Sequence, residues 1–264
     1  METGLRGKGA LVAAASAGIG LAIARGLARE GARVALLARR RDALERAATA
    51  VRQETGTDAH PIVCDLTDRD AVRRSVAEAD AACGGLEILI TNAGGPRPGG
   101  FLDVAPEDFE ATARLTLMSA VWLCHETVPR MVRAGKGGRI VMVASVSAKQ
   151  PLDGLILSNT LRPGVVGLAK SLADELGPRG IRVNVICPGF AATARLEELA
   201  AEAAARRGLT VDAVRAEWAG TTALRRIGAA DEIADLAVYL ASDRSSYVTG
   251  TAISVDGGRT RGLY

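Results

Sequence analysis

Short apolar runs alternate with longer amphipathic stretches along the chain. Between the runs, apolar residues recur at helical spacings of three and four, most clearly from Leu161 to Leu176. Strand and helix alternating about six times predict a parallel sheet of about seven strands with helices on both faces. Right-handed crossovers make this a doubly wound α/β fold of the Rossmann type. The runs are apolar throughout, as is typical of strands covered on both faces. They lie at residues 10–14, 33–38, 61–64, 86–90, 139–143, 181–186 and 252–255.

No linker or change in composition divides the sequence, so we predict a single domain spanning residues 1–264. Residues 191–224 are the exception, because they are rich in Ala, Arg and Glu and contain no strand pattern. They predict two additional helices after the sixth strand, at the end of the sheet where ligands bind in such folds. This insertion is a candidate lid over a substrate pocket; a solvated helical insertion is the alternative.

The other long amphipathic stretches predict helices at 40–55, 68–82, 106–134 and 155–177. Thr67 stands directly before the second of these, and Asp70 follows three residues on. That spacing predicts Thr67 as the N-cap of the helix.

Composition and charge exclude several classes of function. The formal net charge of +3 comes from 33 basic and 30 acidic residues that are scattered, which gives no case for a nucleic-acid partner. Four cysteines without metal-ligand spacing and only two histidines predict no metal site. No run reaches the roughly 18 apolar residues of a membrane helix. The apolar run at 5–24 continues as strand, turn and helix rather than as a signal peptide, so we expect a cytoplasmic protein.

A glycine turn, "AAASAGIG" at 13–20, follows the first strand and opens a helix. Such a turn presents free backbone N–H groups and the positive end of the helix dipole, which suit a pyrophosphate. The glycines let the backbone approach a ligand closely and let the helix pack on the sheet. The residues we predict to bind the cofactor here are Ser16, Gly18, Ile19 and Gly20.

The end of the second strand predicts the choice of cofactor. Ala38 stands where an acidic residue would bind the ribose 2′-hydroxyl of NAD, and Arg39 and Arg40 follow it. A planar guanidinium suits the 2′-phosphate of NADP. We therefore predict NADP(H) over NAD(H); the alternative is that these arginines only begin a solvated helix.

Together with the glycine turn, four segments resemble the short-chain dehydrogenase/reductase family over nearly the whole chain. They are "CDLTD" (64–68), "TNAG" (91–94), "PGFAAT" (188–193) and "YVTGTAISVDGG" (247–258). The resemblance implies cofactor contacts from the ends of several strands, with Asp65 at the adenine and Thr193 at the nicotinamide amide. The full set that it implies is Asp65, Leu66, Asn92, Ala93, Gly94, Pro188, Gly189 and Thr193.

The glycine turn departs from the family pattern TGxxxGxG, because Ala13 and Ala14 occupy its Thr and first Gly positions. If that Gly supplies a positive φ, Ala14 costs about 1 kcal/mol there.

The catalytic positions depart further. In the family, a Ser after the fifth strand, a Tyr thirteen residues later, a Lys four residues beyond and an Asn on the preceding long helix carry the reaction. The resemblance assigns Ser145 to the first position, but Ser158, Arg162 and Thr116 occupy the other three. The register is secure, because residues 165–189 follow the family pattern without a gap.

These substitutions change the chemistry. A serine hydroxyl is a far weaker acid than a tyrosine, and a guanidinium stays protonated and cannot relay a proton. Ser158 and Arg162 lie at i and i+4 of one helix, so both still face the same pocket. Arg162 could bind ribose hydroxyls or clamp an anion.

Other groups could supply an acid or a substrate contact. Lys149 and Asp153 lie between the two serines and are candidates to line the substrate pocket; a solvated loop is the alternative. Tyr264, the last residue, is a further candidate that would act in the site of a neighbouring subunit.

Three interpretations of function stay open. The first is a reductase or dehydrogenase of a ketone or 3-oxoacyl substrate, similar to the 3-oxoacyl carrier-protein reductases but with an altered proton donor. The second is a non-catalytic dinucleotide-binding protein, and the third is a different reaction, such as an elimination, in which Arg162 stabilises an anion. We favour the first. Family members pair their long helices into dimers and tetramers, so we expect a homo-oligomer through helices 106–134 and 155–177.

Overall fold

The computed structural model describes residues 2–263, and its strands account for the short apolar runs. The strands are β1 (Gly9–Ala13), β2 (Arg33–Ala38), β3 (Ala59–Val63), β4 (Ile88–Thr91), β5 (Gly138–Val143), β6 (Ile181–Pro188), β7 (Ala191–Ala192), β8 (Gly228–Ala229) and β9 (Ala252–Val255). Seven of them form one parallel sheet in the order β3-β2-β1-β4-β5-β6-β9, and β7 pairs with β8. The sheet is wound outward in both directions from β1 and β4, as predicted, and these two strands mark its switch point.

Helices cover both faces of the sheet. Successive strand residues alternate between the faces: Val12 and Leu36 pack in one hydrophobic core, and Leu11 and Leu37 in the other. The first core lies under α1 (Gly18–Arg29), α2 (Arg41–Thr55) and α9 (Ala230–Ala241), and the second under α3 (Arg69–Ala82), α5 (Ser119–Ala134) and α6 (Ile156–Leu176). The short helix α4 (Pro106–Thr112) contacts α6.

The predicted cap of α3 is wrong by one residue. Asp68 is the N-cap, and its carboxylate accepts hydrogen bonds from the backbone N–H groups of Asp70 and Ala71 at 2.9 and 3.1 Å. Thr67 instead donates its N–H and its hydroxyl to the Asp65 carboxylate. Asp and Thr are both good caps, so their local bonding decides between them, and sequence alone does not show it.

The predicted helix 106–134 is not one regular helix. Residues Ala113–Met118 form a π-helical segment between α4 and α5. Each such turn holds an extra residue and shifts the faces of the helix that follow. Thr116 lies in this segment, which packs against α6.

Two helices form most of the segment 191–224, as its pattern predicts, but the expectation of no strand is wrong at its first two residues, which form β7 and pair with β8. A strand of two residues is too short to give a pattern. The helices are α7 (Ala194–Arg207) and α8 (Val211–Gly220), and the hydroxyls of Thr193 and Thr210 cap their N-termini. Small residues of α7 pack on Val214 of α8 in a minor core of their own. Trp218 of α8 stacks on Phe190, with ring centroids 4.8 Å apart, which ties the pair of helices to the end of β6.

Within residues 2–263, no helix is long and apolar enough to cross a membrane.

Candidate functional site

A cleft of about 520 Å³ opens at the carboxyl ends of the central strands, beside the switch point of the sheet. Its walls come from the turn after β1, the loops after β4 and β5, the segment after β6, and the first turns of α6 and α7. The predicted site residues that line it are Gly18, Ile19, Asn92, Ala93, Gly94, Ser145, Ser158, Arg162, Pro188, Gly189 and Thr193.

The turn after β1 has the geometry that a phosphate-binding turn needs. Ala14 has φ = 49° and Gly18 has φ = 57°, both in the left-handed region. Ala14 therefore takes the strained conformation that its place at a family glycine position predicts, at a cost of about 1 kcal/mol. Gly20 allows a close approach, because a Cβ there would lie 2.3 Å from the Ala14 carbonyl oxygen and 2.9 Å from Nδ2 of Asn92.

The N-terminus of α1 is open to a ligand. Its N-cap, Ala17, makes no side-chain hydrogen bond, so the first-turn N–H groups of the helix lack a side-chain partner. These groups and the helix dipole favour an anion. Ser16 is half-buried in the same turn. The residues present thus fit the diphosphate of a dinucleotide.

The ends of β2 and β3 lie beyond the cleft. Arg39 and Arg40 are exposed directly after β2, and Asp65 and Leu66 follow β3, with Leu66 buried. Hydrogen bonds from Thr67 hold the pKa of the Asp65 carboxyl below its ordinary value, and the nearby charge of Arg39 acts in the same direction. Arg39 and Asp65 are therefore neighbours at the end of the sheet where an adenosine would lie.

Ser145 follows β5 and is half-buried in the wall of the cleft. Its Oγ accepts a hydrogen bond from the backbone N–H of Ser147 at 3.1 Å, in the turn that Ser145 caps. Ser147 is also joined to Ser158, with their Oγ atoms 2.8 Å apart. Sequence reasoning missed Ser147, and its only signal was its position two residues after Ser145.

Arg162 is almost fully buried at the base of the cleft. Its Nη1 donates to the carbonyl oxygens of Val143 and Ala144, both at 3.0 Å, and so holds the end of β5. Its Nε has no protein partner among residues 2–263. Burial lowers the pKa of the Arg162 guanidinium to about 10, which leaves it protonated at neutral pH.

Three other predicted residues lie outside the lining of the cleft. Thr116 is buried behind it, and its Oγ1 finds no protein partner in the described part of the chain. Asp153 is exposed in the loop before α6, and Lys149 is half-buried in the loop after Ser145. Burial raises the pKa of the Cys187 thiol, and the charge of Lys149 opposes that shift, which places Lys149 near Cys187. Tyr264 lies outside the described residues.

The segment α7–α8 contributes residues that the sequence did not single out. Arg195 lines the cleft and donates from Nη2 to the carbonyl oxygen of Pro96 at 2.9 Å, joining α7 to the loop after β4. Its Nη1 pairs with the exposed carboxylate of Glu198 at 3.2 Å. A first-turn arginine on a solvated helix gives no signal of such a contact.

The four cysteines are free and buried, and no group of three or more metal-ligating side chains occurs between residues 2 and 263. The cleft offers an open helix N-terminus, the half-buried hydroxyls of Ser145 and Thr193, and the buried guanidinium of Arg162. That set can bind and orient a dinucleotide and hold an oxygen atom of a second ligand.

Comparisons with known proteins agree with this geometry. A family model described as enoyl-(acyl carrier protein) reductase matches residues 13–260. Oxidoreductase UcpA of Salmonella typhimurium is 38% identical over 260 residues, which cover 97% of this chain and 95% of that protein.

Two solved structures are similar over nearly the full length of both chains. L-Sorbose reductase from Gluconobacter frateurii, complexed with NADPH and L-sorbose, has a TM-score of 0.94 at 33% identity, with 100% of each chain covered. A short-chain type dehydrogenase/reductase from Mycobacterium marinum has a TM-score of 0.89 at 35% identity, with 98% of each covered.

Proposed function

The chain belongs to the short-chain dehydrogenase/reductase family of oxidoreductases, and we propose that it uses NADP(H) to reduce a small carbonyl compound. The observation that carries the proposal is the half-buried Ser145 hydroxyl in the wall of a cleft that begins at a phosphate-binding turn. A nicotinamide cofactor bound in this cleft would supply the hydride.

The turn after β1 would hold the diphosphate. The N–H groups at Gly18 and Ile19 open α1, and Gly20 keeps the backbone of Ala14 close to the helix. Asn92 and Gly94, after β4, and Thr193, after β6, line the cleft further along, where the nicotinamide half would lie.

NADP(H) is supported by charge at the end of β2. Arg39 and Arg40 are exposed there, and Ala38 has no side-chain group that could accept a hydrogen bond from a ribose hydroxyl, as a carboxylate would. L-Sorbose reductase, which is similar over its whole length, is an NADPH complex. Two guanidinium groups beside the ribose favour a 2′-phosphate over a 2′-hydroxyl.

The cofactor proposal is tested by measuring the Kd of NADPH and NADH for the protein and for Arg39→Ala. Loss of a charge-assisted hydrogen bond to the phosphate predicts an NADPH Kd that rises about tenfold or more, with NADH unchanged. Arg46→Ala, an exposed arginine of α2, is the matched control and leaves both constants unchanged. An Arg39→Ala variant that keeps its NADPH preference would remove this argument, and absence of binding to either dinucleotide would refute the function.

The Ser145 hydroxyl would hold the substrate oxygen. Because Oγ of Ser145 accepts the N–H of Ser147, its own hydrogen is free to donate into the cleft. Arg162 contributes a positive charge at the base of the same cleft. The matching family model is described as an enoyl reductase. A hydride could therefore be delivered to either of two places in a carbonyl substrate: the carbonyl carbon, or a C=C bond conjugated to it.

The helices α7 and α8 would act as a cover over the substrate. Arg195 bridges the cleft to the carbonyl of Pro96, and the stack of Trp218 on Phe190 ties the two helices to the end of β6, so a hydrogen bond and an aromatic contact both help to hold the cover in place. Such a cover excludes water and commits the substrate.

A further inference from the structure

Arg162 is a buried cation that has no counter-ion among residues 2–263. It is only 6% exposed, and its Nη1 donates to the carbonyl oxygens of Val143 and Ala144, which carry only partial charge. The titratable group that acts on its charge is the Cys187 thiol, and burial raises the pKa of that thiol, so it is uncharged at neutral pH. Burying a charge without a compensating charge is costly, and an anion bound beside it would offset that cost.

One edge of the Arg162 guanidinium is left for a ligand. Its Nη2 makes no hydrogen bond within the described part of the chain and, unlike Nε, is not sealed off from solvent. Because Arg162 lines the cleft, this exposed edge opens into it. Ser158 lies one turn earlier on α6, is 7% exposed and lines the same cleft. A guanidinium N–H and a hydroxyl are both donors that suit a carboxylate.

The other charged groups around the cleft do not balance Arg162. Glu198 is the one carboxylate that lines the cleft between residues 2 and 263, and it is exposed and paired with Arg195 at 3.2 Å. The dinucleotide does not supply a negative charge at this end either. Its diphosphate would lie at the turn after β1, and its nicotinamide ring carries no negative charge. The base of the cleft therefore favours an anionic second ligand over a neutral one.

The place of Arg162 sets how far such a charge lies from the reacting carbonyl group. Its Nη1 is 3.0 Å from the carbonyl oxygen of Ala144, which directly precedes Ser145 in the chain. A ligand that contacts both Arg162 and the Ser145 hydroxyl therefore carries its charge only a few bonds from its carbonyl oxygen. The short side chain of Ser158 leaves to that ligand the space that a tyrosine ring would fill.

We propose that the substrate is a small oxo acid, with its carboxylate bound by Arg162 and Ser158, its ketone oxygen held by Ser145, and at most one carbon between the two groups. This rests on the proposed function, which supplies the dinucleotide. The carbonyl carbon accepts hydride and forms a new C–H bond, and the π electrons move to the oxygen. Water protonates that oxygen, so the products are the hydroxy acid, the oxidised dinucleotide and hydroxide.

The first test measures oxidation of NADPH by the wild-type protein with acids and their neutral esters. The pairs are pyruvate with methyl pyruvate and acetoacetate with methyl acetoacetate, with products identified by mass spectrometry. We expect kcat/KM for at least one acid to exceed that of its ester by about tenfold or more, because only the acid forms the charge-assisted hydrogen bond. Esters reduced as fast as both acids, or turnover of neither acid, would overturn the proposal while leaving the proposed function intact.

The second test needs no turnover and uses the hydroxy acids that the reaction would form. Lactate, 3-hydroxybutanoate and their methyl esters are titrated calorimetrically into the protein with NADPH, which cannot reduce an alcohol. We expect at least one acid to bind about tenfold or more tightly than its ester. Arg162→Gln should bring the two Kd values to within about twofold of each other, and Arg162→Lys should keep part of the preference. Circular dichroism shows whether each variant is folded.

Arg195→Gln is the control for a charge elsewhere in the cleft, because Arg195 is already paired with Glu198. It should keep the preference for the acid over the ester, whatever it does to either Kd. Loss of the preference in Arg195→Gln but not in a folded Arg162→Gln variant would overturn the proposal.

Equal binding of acid and ester by a wild-type protein that binds NADPH would overturn the proposal as well. Arg162 would then serve the ribose hydroxyls of the cofactor rather than the substrate. Failure to bind NADPH at all would instead refute the proposed function.

Discussion

The turn that would bind the cofactor and the wall that carries Ser145 have diverged in different ways. In the turn, Ala14 replaces a glycine, yet it keeps a left-handed backbone with φ = 49° and Gly20 remains closely packed. In the wall, α6 keeps its place beside the cleft while the side chains at 158 and 162 have changed chemical type. The first change costs strain and the second changes what the site can do.

The difference arises because the turn binds its ligand with backbone groups, whereas the wall acts through side chains. A phosphate is bound by backbone N–H groups and a helix dipole, which any residue supplies if the φ and ψ angles are right. Ala14 adopts the required left-handed backbone at a strain cost of about 1 kcal/mol. A proton donor must be a particular side chain with a suitable pKa, and such a group contributes about 10²–10⁴ in rate. Backbone-built sites therefore tolerate substitution that side-chain chemistry does not.

The largest expected effect tests the backbone region. Gly20→Ala places a Cβ 2.3 Å from the Ala14 carbonyl oxygen, so the turn must open. We expect NADPH affinity to fall by about 100-fold or more, which is about 3 kcal/mol. Gly167→Ala is the control, because Gly167 is an exposed residue of α6 whose Cβ would meet no atom within 4 Å. Isothermal titration calorimetry measures the NADPH affinity of both variants. A Gly20→Ala variant with normal affinity would show that phosphate binding does not depend on the close packing of this turn.

A smaller effect is expected when the side-chain region loses its hydroxyl. Ser145→Ala removes the donor to the substrate oxygen, and one such donor is worth about 10²–10³ in kcat. NADPH affinity should stay within about twofold, since Ser145 holds the substrate rather than the phosphates. Ser171→Ala, an exposed serine of α6, should change neither quantity. If Ser145→Ala lost as much NADPH affinity as Gly20→Ala, the cofactor turn and the wall that carries Ser145 would not be separable.

The smallest effect concerns the strain itself. Ala14→Gly relieves the left-handed backbone and should stabilise the protein by about 1 kcal/mol. For a chain of this size, that raises Tm by about 2–4 °C. Gly7→Ala is the matched reverse change, because Gly7 is exposed with φ = 76° and a Cβ there would meet no atom within 4 Å, so it should lose about as much stability as Ala14→Gly gains. A lower Tm for Ala14→Gly, measured by differential scanning calorimetry, would mean that Ala14 is not strained.

Elements whose pattern repeats over many residues were predictable from the sequence. The seven sheet strands, the two helices between 194 and 220 and the long helix of residues 156–176 all follow from apolar periodicity, because burial imposes it on many positions at once. Features decided by one or two contacts were not. Asp68 rather than Thr67 caps α3, and Ala113–Met118 form a π-helical segment inside a pattern that reads as one helix.

The site was predictable to the same extent. Motif positions identified Ser145, Ser158 and Arg162, and the structure brings all three to one cleft. The partners that set their chemistry were not predictable, because they depend on distances between segments far apart in the chain. These partners are Ser147 beside Ser158 and the carbonyl oxygens of Val143 and Ala144 on Arg162.

The central claim is that this site retains a cofactor turn but carries Ser158 and Arg162 where the family has its proton donor and its lysine. The most direct measurement compares ketone reduction in the wild-type protein and in a variant carrying Ser158→Tyr together with Arg162→Lys, with each single variant as a control. We predict that the double variant reduces ketones about 100-fold faster, or more, than the wild-type protein or either single variant. Ketone reduction by the wild-type protein at a rate equal to that of the double variant would contradict the account.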